Sequence, residues 1–67
     1  MKAKLMEQLQ GKFWTQMGEL IEELEYKDLE VDDYNEEAIA VYCEETDESY
    51  LIYLIVAGST IAVDYIE

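Results

Sequence analysis

The stretch Ala38-Ile-Ala-Val-Tyr-Cys-Glu-Glu-Thr-Asp-Glu-Ser-Tyr-Leu-Ile-Tyr-Leu-Ile-Val-Ala-Gly-Ser-Thr-Ile-Ala-Val-Asp-Tyr-Ile-Glu67 reads as three strands joined by two tight connections. From Ala38 to Glu44 the side chains alternate, with Ile39, Val41 and Cys43 on one face and Ala38, Ala40 and Tyr42 on the other. Glu45-Thr-Asp-Glu48 is polar and turn-like. Tyr50 to Ala57 is apolar on both faces, Ile52, Leu54 and Val56 opposing Leu51, Tyr53 and Ile55. Gly58-Ser59 suits a two-residue type II′ hairpin turn, which takes Gly at its first central position. Thr60 to Ile66 alternates again, Ile61, Val63 and Tyr65 against Ala62, Asp64 and Ile66. Successive hairpins make a meander. Its middle strand is Tyr50–Ala57, where two apolar faces are useful.

Upstream, Leu29 to Tyr34 alternates only weakly and reads as a short fourth strand or an extended loop. Residues 2–26 read as a helix. Met6, Leu9, Phe13, Met17, Leu20 and Leu24 recur at steps of three or four, and Leu5, Trp14 and Ile21 widen that stripe. Gly11 and Gly18 each cost about 1 kcal/mol against Ala inside a helix. They suit either the close approach of another backbone or a break near Gly11. The expected fold is α+β, a single domain over residues 1–67. One long N-terminal helix packs on a three- or four-stranded antiparallel meander. A helix covers one face of such a sheet. The other face then exposes Tyr42, Tyr53 or its neighbours, and several alanines, and an open apolar face marks a dimer or partner interface.

The charge is as uneven as the hydropathy. The 67 residues hold 17 Asp and Glu against 4 Lys, a net charge of −13. With 51% hydrophobic and 12% aromatic residues the chain is nevertheless no disordered acidic tail. Fourteen acids fall between residues 19 and 48: Glu19, Glu22, Glu23, Glu25, Asp28, Glu30, Asp32, Asp33, Glu36, Glu37, Glu44, Glu45, Asp47 and Glu48. Lys27 alone opposes them, so this segment carries the whole net charge. Outside it Glu7, Asp64 and Glu67 balance Lys2, Lys4 and Lys12. Direct binding to nucleic acid or to an anionic membrane is disfavoured, since both need clustered cations. Solubility needs only about 2–8 charges in a small domain. Self-repulsion beyond that destabilises a compact state, so the excess points to a basic partner surface.

The absences narrow the chemistry. There is no His, and the single cysteine, Cys43, cannot form an internal disulfide, so a reducing, cytoplasmic location is expected. No apolar core of ~7–15 residues follows Lys2 and Lys4, as a signal peptide would require. The apolar run from Leu51 to Gly58 falls far short of the roughly 20 residues that span a bilayer. Cys43 has no His to activate it and reads as a buried strand residue. Transition metals want His or several Cys. For calcium, Asp28, Glu30 and Asp32 alternate, but Asp33 stands where an EF-hand loop needs Gly and Ile39 where it needs a bidentate Glu. No Gly-rich phosphate loop exists. The expectation is a protein that is no enzyme and uses no cofactor or metal.

The carboxy-terminal half resembles uracil-DNA glycosylase inhibitors. Tyr42-Cys-Glu-Glu-Thr-Asp-Glu-Ser-Tyr-Leu-Ile-Tyr-Leu-Ile is similar to their acidic hairpin, and Thr60-Ile-Ala-Val-Asp-Tyr-Ile-Glu67 to a later strand. Better-known members carry a second helix, where this reading gives one. The resemblance implies a DNA mimic whose carboxylates stand in for phosphates and block a DNA-binding groove. It also implies that the open sheet face accepts an apolar side chain from the enzyme's DNA-probing loop. The expected partner is therefore a basic DNA-binding protein, with uracil-DNA glycosylase as a candidate. The expected contact residues are the fourteen acids together with Tyr42 and Tyr53. Glu22 and Glu25 share a helix face, and Glu30 and Asp32 share a face if their segment is extended. The alternative expectation is a homodimeric interaction or assembly module that uses the apolar sheet face, with its acids merely solvated.

Overall fold

The computed structural model describes residues 2–67. Two helices, α1 (Lys2–Leu9) and α2 (Met17–Tyr26), precede four strands: β1 (Leu29–Tyr34), β2 (Ala38–Cys43), β3 (Glu48–Ala57) and β4 (Thr60–Ile66). The strands form one antiparallel sheet in the order β1-β2-β3-β4, an α+β meander with β2 and β3 inside. Each connection has a local cause. The Asn35 side-chain oxygen accepts hydrogen bonds from the backbone N–H of Glu37 (2.7 Å) and of Ala38 (3.0 Å), closing the β1–β2 turn. Glu44 to Asp47 link Cys43 to its partner Glu48, with Asp47 at φ 56°. Gly58 takes φ 64° while Ser59 stays out of the positive region, as a type II′ turn requires.

The single long helix is corrected to two short ones. Gly11 adopts φ 81°, a left-handed conformation that no α-helix contains. The chain then turns so that Trp14 joins the free edge of β4. Trp14 N–H donates to the Ile61 carbonyl (2.9 Å), and Ile61 N–H donates to the Trp14 carbonyl (2.7 Å). The indole is buried by this move, whereas Phe13, expected on the apolar stripe, is 72% exposed. An uninterrupted helix would have left that edge unpaired. Gly18 sits inside α2 with open space around it, so it serves no close backbone approach.

Leu5, Leu9, Trp14, Leu20 and Leu24 pack against Leu29, Ile39, Val41, Cys43, Tyr50, Ile52, Ile61, Val63 and Ile66. The even alternation expected of Thr60–Ile66 is also corrected. Tyr53 pairs with Tyr65 but Leu54 pairs with Val63, so Asp64 is the extra residue of a bulge. The bulge reverses the parity. Ile66 joins Ile61 and Val63 in the core, and Tyr65 passes to the outer face. A second bulge, between Val31 and Asp33, explains the weak alternation of β1.

Two substitutions check the break. Leu24→Ala should cost about 2–5 kcal/mol in urea unfolding, as expected for a buried leucine. Phe13→Ala should change stability by no more than about 0.5 kcal/mol. A loss at Phe13 as large as that at Leu24 would mean that the aromatic ring is part of the helical core.

Candidate protein-binding surface

Both helices lie on one side of the sheet, so the other side is bare. Register places Ala38, Ala40 and Tyr42 of β2, Leu51, Tyr53 and Ile55 of β3, and Ala62 and Tyr65 of β4 on that outer face. The Tyr53 and Tyr65 rings stack with centroids 4.6 Å apart and an interplanar angle of 15°. Ile55 is 51% exposed and Tyr65 48%. This is an apolar surface with a polar end, because the Tyr42 hydroxyl donates to Asp47 at 2.6 Å. That hydrogen bond, then desolvation and the charges of Glu44 and Glu30, hold the Tyr42 phenol above its ordinary pKa. Tyr53 is raised as well, first by the charge of Glu67 and then by desolvation.

The acids take several distinct positions around this face. Glu30 and Asp33 flank it from β1, paired with Tyr42 and Ala40. A regular strand would have placed Asp32 beside Glu30; the bulge puts Asp33 there, and Asp32 is its extra residue. Because Leu29 pairs with Cys43, the start of β1 lies against the β2–β3 turn. Asp28, Glu30, Glu44 and Glu45 thereby line one shallow groove, although Glu30 and Glu44 are 14 positions apart in sequence. Glu36 and Glu37 occupy the β1–β2 turn at the other end of the strand. The helix acids Glu22 and Glu25 are exposed on α2, which packs on β1 from the side opposite Tyr42 and Tyr53. The acidic surface thus wraps around the β1 edge and does not lie on one plane.

Among the described residues five of the fourteen acids already have partners within the fold, Asp33 among them, which accepts a hydrogen bond from the Tyr34 N–H at 2.8 Å. The Glu19 carboxylate accepts hydrogen bonds from the Thr15 hydroxyl (2.7 Å), the Gln16 N–H (3.0 Å) and the Thr15 N–H (3.3 Å). It caps α2, satisfying donors ahead of the first turn. The hydrogen bond from Thr15 is the main cause that lowers its pKa. Glu23 pairs with Lys12 at 3.3 Å. Glu48 accepts a hydrogen bond from the Tyr50 hydroxyl at 3.0 Å, and Asp47 accepts that of Tyr42.

Sequence reading missed Tyr65 as a surface residue, since the bulge that exposes it is marked only by Asp64 within an otherwise apolar strand. Leu51, Ile55 and Ala62 follow once the covered face is known. Among the described residues no Asp, Glu or Cys side chains gather into a group that could hold a metal ion, and no helix is long and apolar enough to cross a membrane. No protein family, curated protein or solved structure matches the chain.

The cap has a pH signature. A lowered carboxyl pKa means that the folded state holds the proton less tightly than the unfolded one. The stability from Glu19 is therefore present above its ordinary value of 4.5 and is lost as pH falls below it. Glu19→Ala should lower the melting temperature at neutral pH, and the gap to the parent should narrow progressively as pH falls below 4.5. A gap that persists unchanged at low pH would show that the carboxylate charge plays no part in the cap.

Proposed function

We propose that this chain is a non-enzymatic DNA mimic that occupies the basic, DNA-binding surface of a DNA-processing enzyme. One observation carries the reading: fourteen acids and a single lysine lie on α2, the turn after it, β1, the two turns flanking β2 and the first residue of β3, and those of β1 and the β2–β3 turn border an uncovered apolar sheet face. The magnitudes suit it. The molecule is 34 Å long. Duplex DNA of that length carries about 20 phosphates, of which roughly half face a protein bound on one side. Carboxylates in that number offer a comparable charge density to a groove lined with Lys and Arg.

Charge alone selects the sign of a partner and steers its approach; burial of apolar area supplies the hold. The outer face provides that area. Leu51, Tyr53, Ile55 and Tyr65 form its centre, with Glu30, Asp33, Asp47 and Glu67 towards its margins. Uracil-DNA glycosylase is the candidate enzyme that the resemblance of Tyr42–Ile55 implies, and the presence of two helices over an antiparallel sheet suits that resemblance. Self-association through the same face would set two copies of charge −13 against each other, which disfavours the homodimeric alternative.

The test compares two neutralised sets in equilibrium binding to uracil-DNA glycosylase at fixed salt. Replacing Glu30, Asp32 and Asp33 by Gln and Asn should weaken binding by about tenfold or more, through loss of several charge pairs. Replacing Glu44, Glu45 and Asp47 should weaken it less, because Glu30 and Asp33 flank the apolar face along β1 whereas the hairpin acids sit at its end. Melting temperatures control for folding. If the hairpin set proves the more damaging, the contact centres on the β2–β3 turn. If neither set matters, the acids are solubilising and mimicry is wrong. Tyr53→Glu, which places a charge in the apolar centre, should abolish binding while leaving the fold intact. Unchanged affinity in that variant would remove the sheet face from the contact.

A further inference from the structure

A cleft of about 280 Å³ opens between α1 and the turn that leads from α2 into β1, lined by Lys4, Leu5, Gln8, Tyr26, Lys27 and Leu29. Its chemistry is opposite to that of the surrounding surface. Two of the four cations in a chain with 17 acids meet here. Among the described residues Lys12 and Glu23 form the one salt bridge, so neither Lys4 nor Lys27 has a carboxylate oxygen within 4.0 Å. Long flexible lysines in such an excess of acid would ordinarily find partners. Here both border a concavity whose base is apolar, since Leu5 and Leu29 are core residues. Tyr26 stands beside them 89% exposed, an aromatic ring that folding leaves in water. The turn beneath is held by Asp28 at φ 63°, and the Asp28 N–H donates to the Glu25 carbonyl at 3.0 Å.

We propose that this cleft binds a small organic monoanion, a carboxylate on a compact aromatic or branched apolar body. The two ammonium groups supply the charge that a carboxylate needs. The leucines and the lysine stems receive the apolar body, the Tyr26 ring offers it a face, and the Gln8 amide supplies one further polar contact. The volume is just below the roughly 300–1,000 Å³ of sites for drug-sized ligands, which limits the ligand to a fragment of about ten heavy atoms. Acids border the cleft on both sides, since Tyr26 also lines a hollow with Glu22 and Glu23 and Leu29 one with Asp28 and Glu30, and their charge disfavours a dianion or larger polyanion. Selectivity for position follows from the same field, because the surface around α2 and β1 repels an anion. The cleft shares Tyr26 and Leu29 with the acidic hollows beside it but lies away from the outer sheet face, and anion binding there does not depend on DNA mimicry.

The test is a backbone amide NMR titration of the full chain with sodium 4-methylbenzoate, and in parallel with its neutral isostere 4-methylbenzyl alcohol. The carboxylate should shift the amides of Leu5, Gln8, Lys27 and Leu29 and saturate in the low-millimolar range, about what ten heavy atoms at modest efficiency deliver. The alcohol should bind more weakly. Lys4→Met and Lys27→Met keep the apolar stems, and each should weaken the carboxylate by roughly two- to fivefold, with no change for the alcohol. Three results would overturn the proposal: equal affinity for acid and alcohol, shifts scattered away from the cleft, or no approach to saturation by about 10 mM.

Discussion

A strand that follows another through a turn of a few residues must lie beside it, and this local constraint arranges the whole molecule. All three strand connections here are short. The order of residues along the chain therefore becomes the order of strands across the sheet, β1 to β4. An acidic run between residues 19 and 48 cannot disperse in such a fold. It is laid out on α2, β1 and the turns at both ends of β2, while the balanced charges of α1 and β4 occupy the other half. In a topology with crossovers the same residues would have been spread over both edges. The asymmetry of the linear sequence is thus preserved as an asymmetry of the surface, and the field it creates is what a basic partner would meet at a distance.

A second constraint is size. A chain this short can place its buried residues in one layer between two helices and one sheet face, and here that layer is filled by Leu9, Leu20, Leu24, Ile39 and Ile52. The helices leave nothing to cover the opposite face, yet that face carries Leu51, Tyr53, Ile55 and Tyr65. Their exposure costs solubility and gives the isolated fold little, apart from the Tyr53–Tyr65 stack. The acids that would be superfluous for solubility sit along its β1 side. Apolar surface and charge are therefore adjacent, which is the usual anatomy of a binding surface with an apolar centre and a charged rim. The edges of the sheet are managed as well. Trp14 adds a rung to β4, and charged residues with a bulge blunt β1.

Much of this was legible in the residues. The strands over Ala38–Ile66, the hairpin at Gly58-Ser59, the buried Cys43 and the one-sided sheet all follow from alternation and turn chemistry, which are local. What was not legible depended on tertiary pairing. The stripe from Met6 to Leu24 fits one helix; Gly11 offers a break as one alternative, and the hydrogen bonds that Trp14 makes with Ile61 show where the chain goes once it leaves the helix there. Periodicity counts residues and assumes that each strand is regular. Bulges at Asp32 and Asp64 break that assumption, so the partner of Glu30 on the outer face is Asp33, and Tyr65 is outside. The acids were visible as a run, but the meeting of Asp28 and Glu30 with Glu44 and Glu45 needed the register of β1 on β2. Glu19 looked like one more surface acid, and its hydrogen bonds to Thr15 and Gln16 show it to be a helix cap.

In the proposed role, carboxylates on this fold take the place of DNA phosphates on a basic protein. The most direct measurement of that role is the affinity for uracil-DNA glycosylase as salt is raised, repeated with duplex DNA as competitor. Screening shortens from ~30 Å at 0.01 M to ~8 Å at 0.15 M ionic strength. Affinity should fall steeply over that range, and DNA and this protein should exclude each other from the enzyme. Affinity that stays flat with salt, or a ternary complex in which the enzyme holds DNA and this protein together, would contradict it.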